Sequence, residues 1–493
     1  MSFYRRGLTE RPEGGRLRRD GSLSLTFVQV EFLAFFAFVY ALYWGVRARR
    51  AQNVLLVVAS AIFYGWVHPW WLVLLYVAAL LDFGAGAAMA RWPARKKLIL
   101  TVSIGANLGL LGYYKYWDFF VESAAAALNS LGVENALTPV GILLPAGISF
   151  YTFQSMAYSF DVYRGELKPR KNLLEYLLAV SLFCHLVAGP VQRASNLLQQ
   201  AETDRRFDFG ALRSGFALAM WGAFKKVCIA DSISPYTDKI FSVDAPSTSM
   251  VVAGTVAFAL QILTDFSGYT DIARGTARML GFDLMENFRH PYLATNPSDF
   301  WNRWHISFST WIRDYVYIPF GGSRGGFWFS TRNTFAAMIL SGIWHGASWN
   351  FALWGAYHGA LLTGYRLVVP RIPAGLRTMP GSRYVAIGIM FGFTCFGWFL
   401  FRELEVTRIV ALLTQDPFAA TPEQNLTAAV VLGMTLVLSL PLFAGLAMER
   451  WVLPHLAPSA WFLPVQTAAW AGFGLAMFTF ARMSANDFIY FQF

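Results

Sequence analysis

Apolar runs, repeated along almost the whole chain, set the strongest limit on what this sequence can fold into. Most approach the roughly 17–25 residues that a helix needs to cross the hydrocarbon core of a bilayer. They lie at about 27–46, 53–68, 70–90, 98–117, 140–160, 176–191, 211–231, 251–270, 334–345, 349–369, 384–401, 427–447 and 465–482. The runs lack the alternation of a membrane β-barrel. The pattern therefore predicts an all-α polytopic integral membrane protein with about 11 to 13 membrane helices, some short, broken or re-entrant.

Composition excludes the soluble classes of protein. Only 14% of the 493 residues are charged, against about 25% in soluble globular proteins. The net charge of +11 would suggest nucleic acid in a soluble protein, but here the basic residues lie mostly in short segments between apolar runs. Such segments are typical of cytoplasmic loops that face anionic lipid, so we expect membrane lipid and no nucleic acid as a partner. The widely spaced Cys184, Cys228 and Cys395 are interpreted as small core residues.

Loop charge predicts the orientation of the chain. Basic clusters alternate with loops that lack Lys and Arg, such as 118–138, and basic loops favour the cytoplasm. The clusters are Arg47, Arg49 and Arg50; Arg91, Arg95, Lys96 and Lys97; and Arg164, Lys168, Arg170 and Lys171. This places the start of the first helix outside. The basic tail at 1–25 would favour the opposite orientation; it has no signal-peptide pattern, and we expect it to be disordered. Because no internal repeat is visible, residues 26–493 are predicted to form one membrane domain.

The segment 286–350 carries the polar and aromatic residues that do not fit a simple span. Asn296 and Pro297 are typical of a helix start. Residues then recur at helical spacing to form one aromatic stripe: Trp301, Trp304, Phe308, Trp311, Ile312 and Tyr315. The predicted amphipathic helix, ending at Pro319, can lie in the membrane interface or pack inside a helical body beside a water-filled cavity. His305 falls on the border of the stripe.

His345 is the most informative single residue. It lies in the apolar, small-residue block 340–351, where an ionisable side chain costs a few kcal/mol, about 3 by insertion scales, and is by default a functional candidate. Gly342 and Gly346 allow another helix or a thin substrate to approach the backbone. The alternative is a neutral histidine that forms hydrogen bonds between helices, and this alternative has still more weight for His305. We interpret His358 as structural.

The acidic residues and motifs exclude several other chemistries. Asp265 and Asp271 are six apart, so they do not share a helix face as a glycosidase pair, and Asp271 is expected to pair with Arg274 or Arg278. No nucleotide-binding, zinc-protease or hydrolase motif stands in a convincing context. No cluster has metal-ligand spacing, so no metal is predicted.

A neutral imidazole in an apolar site suits acyl transfer. It can accept the proton of a hydroxyl group as the oxygen attacks an acyl carbonyl, and then return that proton to the leaving thiolate. Donors such as Asn350 and Ser348, with tryptophan indoles, can stabilise the oxyanion in a dry site.

Several motifs, in this order, resemble the membrane-bound O-acyltransferase (MBOAT) family, in the branch whose members acylate exported polysaccharides. The similarity covers about 27–493. It rests on 147–154, 161–165, 186–190, Lys225–Lys226 with Ala230–Asp231, 265–269, 300–307, 345–351 and the closing 488–493.

The resemblance implies a helical body with a thinned centre, in which a cytoplasmic acyl donor and an outward-facing acceptor meet in a tunnel. It implies that His345 is the catalytic histidine and His305 a second functional histidine. Trp344, Trp304 and Asp265 are further substrate-binding candidates. Asn302 stands where relatives often have a basic residue, and Arg303, Arg313 and Lys225–Lys226 are candidates for the phosphates of the donor.

The resulting hypothesis is an inner-membrane O-acetyltransferase in which His345 acts either as a base or as a transient acyl carrier. The donor substrate is acetyl-CoA or another thioester, with no bound cofactor, and the acceptor is an exported polysaccharide such as alginate. An extracytoplasmic SGNH-type partner is expected to complete the transfer. Two alternatives stay open: D-alanyl transfer from a carrier protein to teichoic acid, and a transporter or flippase in which His345 and Asp265 relay protons.

Overall fold

The computed structural model describes residues 27–66, 68–187, 189–456, 462–480 and 489. The tail at 1–25 and the closing motif, apart from Ile489, lie outside this part of the chain. Throughout the described ranges every regular element is helical and no strand occurs, which confirms the all-α prediction.

The helices follow the apolar runs closely at first and diverge from them later. The first half contains α1 Val30–Gly45, α2 Arg49–Gly65, α3 Trp71–Arg91, α4 Lys96–Leu111, α5 Trp117–Ser130, α6 Ile148–Arg164, α7 Leu173–Ser181, α8 Phe183–Leu186, α9 Ala194–Ala201, α10 Phe209–Phe224 and α11 Asp231–Phe241. The second half contains α12 Thr248–Met279, α13 Pro297–Trp301, α14 Ile306–Ile312, α15 Phe327–His345, α16 Trp349–Val368, α17 Ala374–Thr378, α18 Ser382–Arg402, α19 Val406–Thr414, α20 Pro422–Ala447, α21 Leu453–Leu456 and α22 Phe462–Phe480. Short π-turns join some of these helices, at Gly112–Tyr116, Lys225–Ala230, Arg313–Tyr317 and Met448–Val452.

Four helical stretches of the described chain are long and apolar enough to cross a membrane by themselves. They are α3, α12, α18 and the continuous stretch Pro422–Leu456. Other apolar runs form helices that are shorter, such as the 16-residue α1, or that carry buried polar side chains, such as α15 with Asn333. The number of membrane helices, about 11 to 13, and the central tunnel stay predictions.

Contacts between helices place the basic loops on one face. Arg49 Nη1 lies 3.8 Å from Asp204 Oδ1, and Arg170 Nε lies 2.8 Å from Glu202 Oε1, so the loops at 47–50 and 164–171 meet at 202–204. The third basic loop joins them through Lys96, whose Nζ lies 5.1 Å from the ring centre of Tyr163. One shared face is what the predicted cytoplasmic location of these loops requires.

Glycines set the two closest helix pairs. A Cβ atom at Gly222 of α10 or Gly275 of α12 would collide with the backbone of the facing helix. In the hairpin of α15 and α16, a Cβ atom at Gly342 would collide with the carbonyl oxygen of Phe351. Close backbone approach through small residues is a common packing mode of membrane helices, and it confirms the approach predicted for Gly342. The α15–α16 hairpin fixes the position of His345.

Candidate active site

His345 is the last residue of α15, and it lies inside an aromatic cluster. The helix ends here because Gly346 adopts extended dihedral angles, with φ −162° and ψ 157°. His345 is only 5% exposed. Four rings surround its imidazole, with centroid distances of 5.0 Å to Trp344, 5.2 Å to Trp354, 5.3 Å to Phe401 and 5.6 Å to Phe308. The side chain is therefore held in apolar surroundings.

His305 lies on a sharp turn rather than on the continuous helix that the aromatic stripe predicts. The helix started by Asn296, whose side chain accepts from Asp299 N as predicted, ends already at Trp301. His305 then adopts the left-handed conformation, with φ +43°, before α14 begins. A non-glycine residue in this region is strained, and such strain concentrates at functional sites. The prediction of one helix to Pro319 was wrong, and His305 is fully buried rather than on a border.

Asn287 holds this turn from a distant part of the sequence. Its carbonyl oxygen accepts from Ile306 N at 2.9 Å, and its Oδ1 accepts from Ser307 Oγ at 2.5 Å. Ser307 Oγ in turn accepts from Val191 N at 2.9 Å. No sequence pattern indicates Asn287, because its role depends on these long-range contacts. The segment packs inside the helical body, which excludes an interfacial helix.

Aromatic rings join three histidines into one row. The ring centre of Phe308 lies 5.0 Å from that of His305 and 5.6 Å from that of His345. On the other side, Trp354 lies 5.2 Å from His345 and 4.7 Å from His358. The structure therefore brings together the two predicted functional histidines, and it adds Trp354, which the sequence analysis did not single out.

Two buried indole groups next to His345 have N–H donors without a hydrogen-bond acceptor. Within the described chain, Trp344 Nε1 and Trp354 Nε1 find no hydrogen-bond acceptor, although Trp344 is only 4% exposed and Trp354 fully buried. Buried polar groups are almost always hydrogen-bonded in native proteins, so each exception needs an explanation. An oxygen atom of a substrate between the rings would supply the missing acceptor.

Asn350 and Ser348 use their donors elsewhere. Asn350 Nδ2 donates to the carbonyl oxygens of Leu400 and Phe401, at 3.1 Å each. Ser348 Oγ donates to the carbonyl oxygen of Leu404 at 3.3 Å. Both residues therefore connect the tip of the hairpin to the end of α18. Because their donors are in use, the indole N–H groups are the better candidates to donate to an oxyanion.

The remaining stripe residues occupy different surroundings. Trp304 is buried, and its ring centre lies 4.6 Å from that of Trp398, in the packing behind the histidine row. Asn302 is exposed on the turn.

All four basic residues proposed for the phosphates of a donor form ion pairs. Arg303 Nε lies 2.6 Å from Asp299 Oδ1, and Arg313 Nε lies 2.7 Å from Asp314 Oδ1. These pairs leave both guanidinium groups partly exposed.

Lys225 and Lys226 are buried between α10, α11 and α12. Lys225 Nζ lies 2.6 Å from Asp271 Oδ2. Lys226 Nζ lies 2.7 Å from Asp265 Oδ1 and 2.8 Å from Asp231 Oδ1. Asp265 Oδ2 also accepts from Ile489 N at 2.7 Å. Asp265 therefore has a structural partner on each side. The predicted pair of Asp271 with Arg274 is confirmed, at 3.7 Å, but Lys225 is the nearer cation.

A separate basic cavity opens beside the face where the basic loops meet. Its volume is about 590 Å³, and Arg193, Arg274 and Arg278 line it together with Asp283 and Glu286. Met285, also on its wall, is two residues from Asn287. The cavity is thus close in sequence and in space to the turn that carries His305. Across the described residues, no group of three His, Cys, Asp or Glu side chains could hold a metal ion.

Known proteins resemble this chain over most of its length. The model of the MBOAT, membrane-bound O-acyltransferase family matches residues 166–404. The probable alginate O-acetylase AlgI of Azotobacter vinelandii is 39% identical over 77% of this chain and 75% of its own length. The peptidoglycan O-acetyltransferase of Helicobacter pylori is 31% identical over 78% and 77%. The teichoic acid D-alanyltransferase of Bacillus subtilis is 28% identical over 53% and 70%. Because its helices are apolar and its sequence is up to 39% identical to these acyltransferases, the chain belongs to the membrane-bound O-acyltransferase family and is a multi-pass membrane enzyme that transfers acyl groups.

Proposed function

We propose that this O-acyltransferase takes an acetyl group from acetyl-CoA on the cytoplasmic side of the inner membrane and delivers it for O-acetylation of an exported polysaccharide such as alginate. The observation that carries the proposal is the buried His345, surrounded by aromatic rings and next to two indole N–H groups without acceptors. The identity of 39% to a probable alginate O-acetylase supports the acetyl group and the acceptor.

In the proposed step, His345 acts as a general base. One ring nitrogen accepts the proton of a hydroxyl group while the hydroxyl oxygen forms a bond to the carbonyl carbon of the thioester. The carbon–sulfur bond then breaks, and the same proton passes to the departing thiolate, so that an acetyl ester and a free thiol result. The indole N–H groups of Trp344 and Trp354 donate to the oxyanion, where donors in dry surroundings have their greatest effect.

The basic cavity supports a nucleotide donor. Arginine binds phosphate through paired, charge-assisted hydrogen bonds. Arg193, Arg274 and Arg278 bring three guanidinium groups to a cavity of about 590 Å³ on the predicted cytoplasmic face. Each also has a carboxylate partner, Asp314, Asp271 and Asp283 respectively, so that phosphate binding here uses the remaining N–H groups of each arginine. In this proposal the phosphates of acetyl-CoA bind there, and its thioester arm extends past Asn287 toward the histidine row.

The acceptor side follows from the direction of transfer. An exported polysaccharide, or the serine of an extracytoplasmic SGNH-type partner that completes the reaction, receives the acetyl group on the outer face. The segment near the end of α15 faces α5, since Trp349 Nε1 donates to Ser123 Oγ at 3.2 Å. α5 and the residues that follow it, to 138, contain no Lys or Arg, which is typical of a segment on the outer side, although most of this stretch is helical and not the predicted loop.

A choice of donors tests the proposal. The purified protein is incubated with labelled acetyl-CoA and alginate oligosaccharides, with and without the SGNH-type partner, and in parallel with a D-alanyl carrier protein and teichoic acid. We expect acetyl ester and no D-alanyl ester. D-alanyl ester alone would favour the teichoic acid reaction. Consumption of neither donor in any arm would favour the alternative of a transporter or flippase. The ion pair of Asp265 with Lys226 does not favour a proton relay through Asp265.

An arginine substitution tests the site of the donor phosphates. Arg274→Gln is expected to raise the KM for acetyl-CoA about tenfold, because a charge-assisted hydrogen bond contributes about 1.5–3 kcal/mol, while kcat changes little. Arg377→Gln, at an exposed arginine far along the chain, is the control. An unchanged KM with Arg274→Gln would exclude this cavity. Loss of the effect once anionic lipid is removed would assign the cavity to lipid headgroups.

A further inference from the structure

A lysine outside the predicted site reaches the end of the helix that carries His345. Lys115 lies on the π-turn Gly112–Tyr116, between α4 and α5. Its Nζ donates to the carbonyl oxygen of Trp344 and lies 3.4 Å from the carbonyl oxygen of His345 itself. Next to it, Tyr116 OH donates to the carbonyl oxygen of Ile343 at 2.9 Å. One turn of chain thus caps three successive carbonyl groups.

The end of α15 needs such partners. The last carbonyl groups of a helix receive no hydrogen bond from an N–H group of the same helix, and they carry the negative end of its dipole. Because Gly346 turns away in extended conformation, the carbonyls at 343–345 point out of the helix and into partly buried surroundings. A cation there satisfies both the hydrogen bonds and the dipole.

The side-chain amine of Lys115 is directed at this helix end. Nowhere in the described part of the chain does an acidic side chain form an ion pair with Lys115. Its other neighbours are Ser149 Oγ at 3.4 Å and the face of Trp344, whose centre lies 5.7 Å from Nζ. The π-turn that presents Lys115 is itself a rare element, found often at functional sites.

We propose that Lys115 is a positioning residue for acyl transfer: it fixes the last turn of α15 and thereby the direction of the His345 imidazole. This inference rests on the proposed function. Lys115 contacts the backbone of His345 and the ring of Trp344, the two residues that supply the base and one donor, so a small displacement of this turn moves both together. A misplacement of about 1 Å can cost on the order of 100-fold in rate.

Two substitutions separate positioning from packing. Lys115→Met keeps the length of the side chain and removes its charge, whereas Lys115→Arg keeps the charge. Lys97→Met, at an exposed lysine at the start of α4, is the matched control. We expect Lys115→Met to lower kcat for acetyl transfer by on the order of 100-fold, with the KM for the donor within about twofold of the wild-type value, and Lys115→Arg to recover a large part of kcat.

A second measurement does not depend on activity. The rate at which diethyl pyrocarbonate modifies His345, followed by mass spectrometry, reports the exposure of the ring, and we expect it to change in Lys115→Met but not in Lys97→Met. Unchanged kcat and unchanged modification in Lys115→Met would overturn the inference. Equal losses in Lys115→Met and Lys115→Arg with lower thermal stability would also overturn it, in favour of packing. Full activity of His345→Ala, by contrast, would remove the proposed function itself.

Discussion

The His345→Ala variant is expected to lose acetyl transfer by about 10²–10⁴-fold in kcat, the range that a positioned general base contributes. Among the histidines of the row, His345 adjoins the rings of both Trp344 and Trp354, so its loss removes the base that stands beside the two proposed oxyanion donors. The substitution also opens space among aromatic rings, so its thermal stability must be measured beside its rate. Initial rates with saturating donor, on protein that elutes as a single species, provide the check.

Two control variants make this result interpretable. His358→Gln changes a buried histidine in the same aromatic row, and His455→Ala changes an exposed one on α21. Both are expected to keep kcat within about threefold of the wild-type value, far less than the loss of a general base. An active, well-folded His345→Ala protein would contradict the assignment of the base. Equal losses in His345→Ala and His358→Gln would show that the cluster, and not one imidazole, sets the rate.

Lys226→Met is expected to give the largest loss of stability in the chain. Lys226 is 1% exposed and lies within 2.8 Å of a carboxylate oxygen of Asp231 and of Asp265. The substitution removes the cation that both buried carboxylates contact, and the loss of one partner of a buried pair costs about 3–5 kcal/mol. We expect a large fall in the midpoint of thermal unfolding in detergent, and low yield of folded protein.

A double substitution tests the cause of that loss. Asp265→Asn together with Lys226→Met also removes the charge of one carboxylate that Lys226 contacts, and should recover part of the stability lost in the single variant. Lys239→Met, at an exposed lysine on the neighbouring α11, should leave the midpoint unchanged. A Lys226→Met protein as stable as the Lys239→Met protein would contradict the view that this ion-pair cluster holds α10, α11 and α12 together.

Local chemistry made parts of the fold predictable. The helix start at Asn296 depends on a side chain three residues from its partner, and the apolar runs that became α3 and α18 fill the bilayer with few polar residues. His345 could be singled out because an ionisable side chain stood in an apolar block. Lys115 stands in the run at 98–117, so the same rule applies to it, but the aromatic residues around it are also typical of a simple span.

Long-range contacts explain what could not be predicted. The turn at His305 interrupts a perfect helical stripe because Asn287, from another part of the chain, holds the backbone there. The run at 176–191 breaks between α7 and α8, where Phe183 N donates to Ser60 Oγ at 3.0 Å. α12 continues nine residues beyond its apolar run, to Met279, because Asp271 pairs with Lys225 on the π-turn after α10 and with Arg274 on its own next turn. The hydrophobic periodicity of one segment gives no information on these partners, because most of them lie in other segments of the chain.

Transfer across a sealed membrane tests most directly whether one buried imidazole serves both faces. The protein is reconstituted in vesicles of known orientation, with labelled acetyl-CoA on the side of the basic loops and the acceptor, with any SGNH-type partner, on the other side. We expect labelled ester on the far side in the wild-type protein, none with donor and acceptor exchanged, and none in His345→Ala, as transfer across the membrane requires. Ester that forms only when donor and acceptor share one side would contradict it.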